Sequence, residues 1–227
     1  MASTSLSSDY KNVIKILVFG SSGSGKTSMI NLLTGSNNPV GDGNLNGCTF
    51  ESKDVEFKKD NNLYLLTDTV GLNEAEGGKV MAGEALVKLI ELIKKAKDGF
   101  NLVIFVRKCG VLSQQDEDNY NLIVKNLLDN KVNTMCVNIG AEKYCEDENS
   151  INQWWLDNEK SFKERGMNFN GGVSGCCAKS SINPLISKIY EQYSKITYPL
   201  IWEAIDKYKS KTPVVPKIGN IKKSLKF

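Results

Sequence analysis

The chain of 227 residues contains no histidine. That absence removes Ser-His and Cys-His nucleophilic catalysis and deprives a zinc site of its usual nitrogen ligand. The 6 cysteines, Cys48, Cys109, Cys136, Cys145, Cys176 and Cys177, include no C-x-x-C pair. They read as reduced thiols filling apolar space. No apolar run reaches the roughly 18–20 residues that span a bilayer. The Ser-rich start at 1–9 has no secretory h-region, Ala2 is not a myristoylation glycine, and the end at 224–227 holds no prenylation cysteine. The expectation is a cytoplasmic protein. A net charge of +3 is too small to point to nucleic acid as a partner. Lysine without acid gathers only at Lys209, Lys211, Lys217, Lys222, Lys223 and Lys226. This reads as a basic flexible tail over 209–227, with weak, salt-sensitive lipid contact at most.

What remains, 41% hydrophobic residues, suffices for one core. After a flexible segment at 1–11, short β-branched runs alternate with amphipathic ones across 12–208. Strands are expected at 13–19, 50–57, 63–67, 102–106, 134–138 and 172–177. Helices are expected at 28–34, 80–97, 115–129 and 149–163, and from Pro184 onward, with Pro199 kinking or restarting the last. Gly35 can close the first helix, and 35–47 reads as a loop. The pattern specifies one α/β domain: a mostly parallel six-stranded sheet, helices on both faces, and one antiparallel edge strand at 50–57.

Gly20-Ser21-Ser22-Gly23-Ser24-Gly25-Lys26-Thr27 matches G-x-x-x-x-G-K-[ST] between a buried strand and a helix. Small residues let the backbone curl until successive N–H groups point at one anion, and the helix N-terminus adds partial positive charge. Gly20, Ser22, Gly23, Ser24, Gly25, Lys26, Thr27 and Ser28 are therefore candidate nucleotide contacts. Lys26 would reach the β- and γ-phosphates, and Thr27 would ligate Mg2+. Asp68-Thr69-Val70-Gly71 follows a buried strand about forty residues on, at the spacing expected of a second phosphate-side motif. Asp68 can hold the metal through water, and the Gly71 amide can sense the γ-phosphate. Thr49 can complete the metal shell. Thr34 is its rival, and an ordinary strand-start threonine is the alternative.

These elements resemble the translation-factor-like GTPases. The stretch ILVFGSSGSGKTSMINLLTG at 16–35, CTF at 48–50, LLTDTVGL at 65–72 and LVIFVRKCGVLSQQDEDNYN at 102–121 are similar to the immunity-associated (GIMAP or IAN, AIG-type) group. That group is in turn similar to septins and chloroplast-import GTPases. Ser113 and Asp116 match its Thr/Ser-x-x-Asp helix start. Glu142 falls where the resemblance implies a guanine-reading carboxylate, in place of the usual N-K-x-D or T-R-K-x-D aspartate, with Asn138 and Gly140 replacing Thr and Lys. A solvated loop acid is the alternative for Glu142. Cys177-Ala178-Lys179 looks like the S-A-K loop that touches the base. Trp154-Trp155 reads as packing or interface rather than base stacking.

The resemblance implies a GTP-binding protein using GTP/GDP and Mg2+, with Lys26, Thr49 and Gly71 at the chemistry. Leu72 replaces the water-positioning glutamine of Ras-like relatives, so slow hydrolysis is expected, in a switch or a self-assembling scaffold. It also implies GTP-dependent homodimerisation, with Arg107 or Lys108 at the interface. The alternatives are an ATP-using P-loop NTPase or kinase, and a non-hydrolysing nucleotide-gated interaction module. Arg107 and Arg165 are the only arginines, too few for a kinase-type lid.

Overall fold

β1 (Asn12–Phe19) lies between two parallel strands, β3 (Asn62–Thr69) and β4 (Leu102–Lys108), and from Ile16 to Phe19 it is buried because helices cover both faces of the sheet. The computed structural model describes residues 10–37, 52–69, 83–178 and 183–216. β4 pairs with β5 (Thr134–Ile139), and β5 with β6 (Gly171–Gly175), again in parallel. β2 (Ser52–Lys59) runs antiparallel along β3. Their hairpin turns at Asp60 (φ 49°) and Asn61 (φ 60°), two left-handed positions that match the twist of the strands. The order β2-β3-β1-β4-β5-β6 is the expected sheet, with its antiparallel member at the edge.

Alternation along β1 feeds two cores. Ile14, Ile16 and Val18 pack with Met29, Ile30 and Leu33 of α1 (Lys26–Thr34) and with Ile201, Trp202 and Ile205 of α5 (Pro184–Tyr208). Leu17 and Phe19 face the opposite layer. There they meet Leu89 and Ile93 of α2 (Gly83–Lys95), and Trp155 and Phe162 of α4 (Gln153–Glu164).

The helix expected at 115–129 divides in two. α3 (Gln114–Tyr120) is α-helical, and Asn121–Leu127 continues as π-helix. Ile123, Val124, Leu127 and Leu128 all point inward from this segment. α5 runs through Pro199 unbroken. Pro199 is exposed there while Thr197 and Ile201 beside it are buried, so the lost amide bond falls on the solvent side. After α5 the chain stays attached, unlike the tail expected from Lys209. The Ser210 amide donates to the Asn101 carbonyl (2.9 Å), and Val214 exchanges backbone bonds with Phe100 (2.8 and 3.1 Å). Residues 217–227 lie outside the described residues. Among the described residues no helix is long and apolar enough to cross a membrane.

Candidate phosphate and base site

The loop from β1 into α1 takes its shape from three glycines at positive φ, Gly20 (156°), Gly23 (67°) and Gly25 (100°). At Gly20 a Cβ would stand 2.1 Å from the Val106 carbonyl oxygen, so the loop can lie against β4 only without a side chain there. The Ser24 amide donates to the Ser21 carbonyl (3.2 Å), closing the curl. Gly25 then caps α1, and among the described residues no side chain caps its first-turn amides, which suits an anionic ligand.

Lys26 is buried, and its Nζ donates to the carbonyls of Gly20 (3.1 Å) and Ser21 (2.9 Å). Thr27 Oγ1 donates to Asp68 Oδ2 at 3.2 Å, joining the start of α1 to the end of β3. This is the donor set for a hard divalent cation, a hydroxyl beside a carboxylate, so the residues present fit Mg2+. Thr69 Oγ1 holds that end of β3 against the Val18 carbonyl (2.9 Å). Ser22 is exposed on the loop, Ser28 is half-buried in the first turn of α1, and Ser24 is buried. Among the described residues the Ser24 hydroxyl has no hydrogen-bond partner. Thr49 and Gly71 lie outside the described residues.

The second half of the site forms where β5 and β6 end. Gly140 (φ 91°) turns the chain into a short 3-10 helix, Ala141–Lys143, and its amide donates to the Gly175 carbonyl (3.0 Å). Glu142 is half-buried on this turn, and among the described residues its Oε2 is buried without a hydrogen-bond partner. A buried carboxylate oxygen calls for a donor, and the Cys176 thiol is already hydrogen-bonded to the same carboxyl group. Burial, and then the Glu142 charge, push the Cys176 thiol up to about 12, which places that carboxylate beside the β6 exit. Burial also pushes Cys109 up to about 12.

Cys177 departs from the expectation. Its side chain is buried in the α1–α5 core and held as a thiol well above the ordinary range by that burial. It cannot face a nucleotide with its sulfur, because the strand's alternation turns it inward. Lys179 lies outside the described residues.

Arg107 departs further. It is not an interface residue but an interior one, 3% exposed, ion-paired to Asp116 at 3.4 Å. It also donates to Asn138 Oδ1 and to the carbonyls of Gly110 and Val111, and lies over the rings of Trp154 and Phe162. Lys108 is exposed. The capping box of α3 is formed as expected: Ser113 Oγ accepts from the Asp116 amide, and the Asp116 carboxylate accepts from the Ser113 amide. Trp155 is packed in the core, and half-buried Trp154 lies against Phe162 and Tyr144. Sequence reasoning missed Asn119, whose amide donates to Ser21 Oγ of the phosphate loop at 3.1 Å.

A family model described as 50S ribosome-binding GTPase matches residues 15–139. Among solved structures the chain is similar to a dimerization-deficient mutant of Toc33 from Arabidopsis thaliana, with 18% identity over 83% of this chain and 86% of that one and a TM-score of 0.55. Toc33 in complex with GDP and Mg2+ gives 17% identity over 83% and 85%, with a TM-score of 0.52. Era from Aquifex aeolicus bound to GDP.AlF4- gives 15% over 80% of this chain and 57% of that one, with a TM-score of 0.53. At these identities the likeness is one of fold. No curated protein matches the chain.

Proposed function

The chain belongs to the GTPase family whose model is described as 50S ribosome-binding GTPase, and from that premise we propose that it is a guanine-nucleotide switch with slow Mg2+-dependent GTP hydrolysis. The observation that carries the reading is the convergence of buried Lys26, the uncapped amides of α1 and the Thr27–Asp68 pair on one loop. The amides bind the β-phosphate. Lys26, positioned by the Gly20 and Ser21 carbonyls, donates to phosphate oxygens and so brings a positive charge to the transferring group. Thr27 and Asp68, with Thr49, would hold the cation, which would supply neutralisation of phosphate charge. The Gly71 amide senses the γ-phosphate.

Glu142 supports guanine over adenine. Its Oε2, without a partner among the described residues, suits a base that presents two adjacent N–H donors, and adenine offers no such pair. Leu72 supplies no hydrogen bond to an attacking water, hence the slow turnover. Finer membership in the immunity-associated group rests on the motif resemblance. GTP-dependent self-association, as the name of the Toc33 mutant implies for that protein, would here use exposed Lys108 and Val111.

Displacement of a fluorescent GTP analogue, followed by single-turnover hydrolysis, tests the proposal. GTP should displace the analogue at concentrations where ATP does not, and phosphate should then appear slowly and only with Mg2+. Equal displacement by ATP would refute guanine selectivity, and intact GTP after hours would refute the hydrolase.

A further inference from the structure

The start of α3 is tied to three strands. Asp116 Oδ2 accepts from the Ser113 amide (3.1 Å) and from Arg107 Nε (3.4 Å). Arg107 Nη1 reaches Asn138 Oδ1 (3.4 Å), and Asn138 Nδ2 donates to the Val173 carbonyl (3.1 Å). Thus β4, β5 and β6 all fix where α3 begins. One turn later the helix presents Asn119, 4% exposed, to a residue 98 positions away, Ser21. The Ser21 carbonyl, in turn, accepts from both Lys26 Nζ (2.9 Å) and the Ser24 amide (3.2 Å).

We propose that Asn119 is a positioning residue for the phosphate loop, setting through Ser21 the place of the Lys26 ammonium and the direction of the Ser21 hydroxyl. This rests on reading the loop as a triphosphate site. The chemistry requires an amide. Because Asn119 Nδ2 donates, Ser21 Oγ is the acceptor, and its own proton is left to donate elsewhere. A carboxylate at the same position would take that proton instead and set a negative charge beside the phosphate subsite. Asparagine therefore holds the loop without opposing an anion, while α3 carries the rigidity of the Arg107 anchor to it.

The test compares GTP and GMP affinity in the full chain, in Asn119→Ala, Asn119→Asp and Ser21→Ala, and in the Asn119→Ala/Ser21→Ala double variant, with thermal melts alongside. Loss of one neutral hydrogen bond should weaken GTP about 3- to 10-fold in Asn119→Ala. GMP should change less. Asn119→Asp, although isosteric, should be weaker still toward GTP. The double variant should be no worse than the poorer single one, since both remove the same link.

Undiminished GTP affinity in folded Asn119→Ala, additive losses in the double variant, or Asn119→Asp binding as the parent does would each overturn the inference. If Asn119→Ala melts, Ser21→Ala decides alone, because it removes the acceptor from a partly exposed loop: a matching loss supports the inference, and parental affinity overturns it. A parent chain that binds GMP and GTP equally, or binds neither, removes the triphosphate site itself. That outcome differs from selective failure of the variants.

Discussion

Asp116→Ala should be among the most destabilising single changes in this chain. Its carboxylate is 11% exposed and neutralises a guanidinium that is 3% exposed. Removing it leaves Arg107 charged and buried, with only carbonyl and amide acceptors around it among the described residues. Breaking a buried pair by deleting one partner costs about 3–5 kcal/mol. The capping bond to the Ser113 amide disappears with it, a loss of about 1 kcal/mol that overlaps the first figure rather than adding to it. Against a typical stability of about 5–15 kcal/mol, the variant would sit near the edge of folding. Replacing both partners by apolar residues of similar volume, Arg107→Met with Asp116→Leu, should recover most of the loss, because no buried charge then remains. Urea unfolding of the three proteins measures this directly. A cost below about 1 kcal/mol for Asp116→Ala, where an exposed ion pair would place it, would refute the reasoning. So would a double variant as unstable as the single one.

Other consequences follow from the same geometry. Gly20→Ala forces a Cβ to 2.1 Å from the Val106 carbonyl oxygen, so the loop must move: about 1–3 kcal/mol of stability and triphosphate binding should both be lost, as thermal melts and nucleotide titration would show. Glu142→Gln turns one of the two carboxylate acceptors into an amide donor, and should narrow the preference for GTP over ATP by about 10-fold or more in competition assays. Cys109 and Cys176, both raised to about 12 by burial first, keep their protons in the folded state after the unfolded chain has lost them. Folding stability should therefore be unaffected by these thiols below about pH 8.5 and fall as pH rises from there toward 12. Urea midpoints across that range would detect it.

Much of the fold and of the phosphate loop is legible in the amino-acid sequence. Runs such as 102–106 are apolar at every position and short, as a strand covered on both faces requires, and the spacing of Gly20, Gly25 and Lys26 between a strand and a helix fits a loop curled round an anion. The π-helix at Asn121–Leu127 was not readable, because Ile123, Val124, Leu127 and Leu128 satisfy the α-helical period as well as the wider one. Arg107 misled for a different reason. A charged residue at a strand end reads as solvent-facing, and its side-chain acceptors, 9 and 31 residues away, assemble only in the fold. Cys177 resembles the first residue of a base-contacting loop motif, yet the chain's alternation at the end of β6 sends its side chain into the core. The Asn119–Ser21 bond has no sequence signature at all. It exists because a capped helix of fixed length starts at a fixed point.

The phosphate site is tested most directly by calorimetric titration of GTP into the full chain, with and without Mg2+, beside Lys26→Ala. Magnesium-strengthened, near-stoichiometric binding that disappears in a folded Lys26→Ala is the predicted result. Equal heats from the two proteins, or none from the parent, would contradict it.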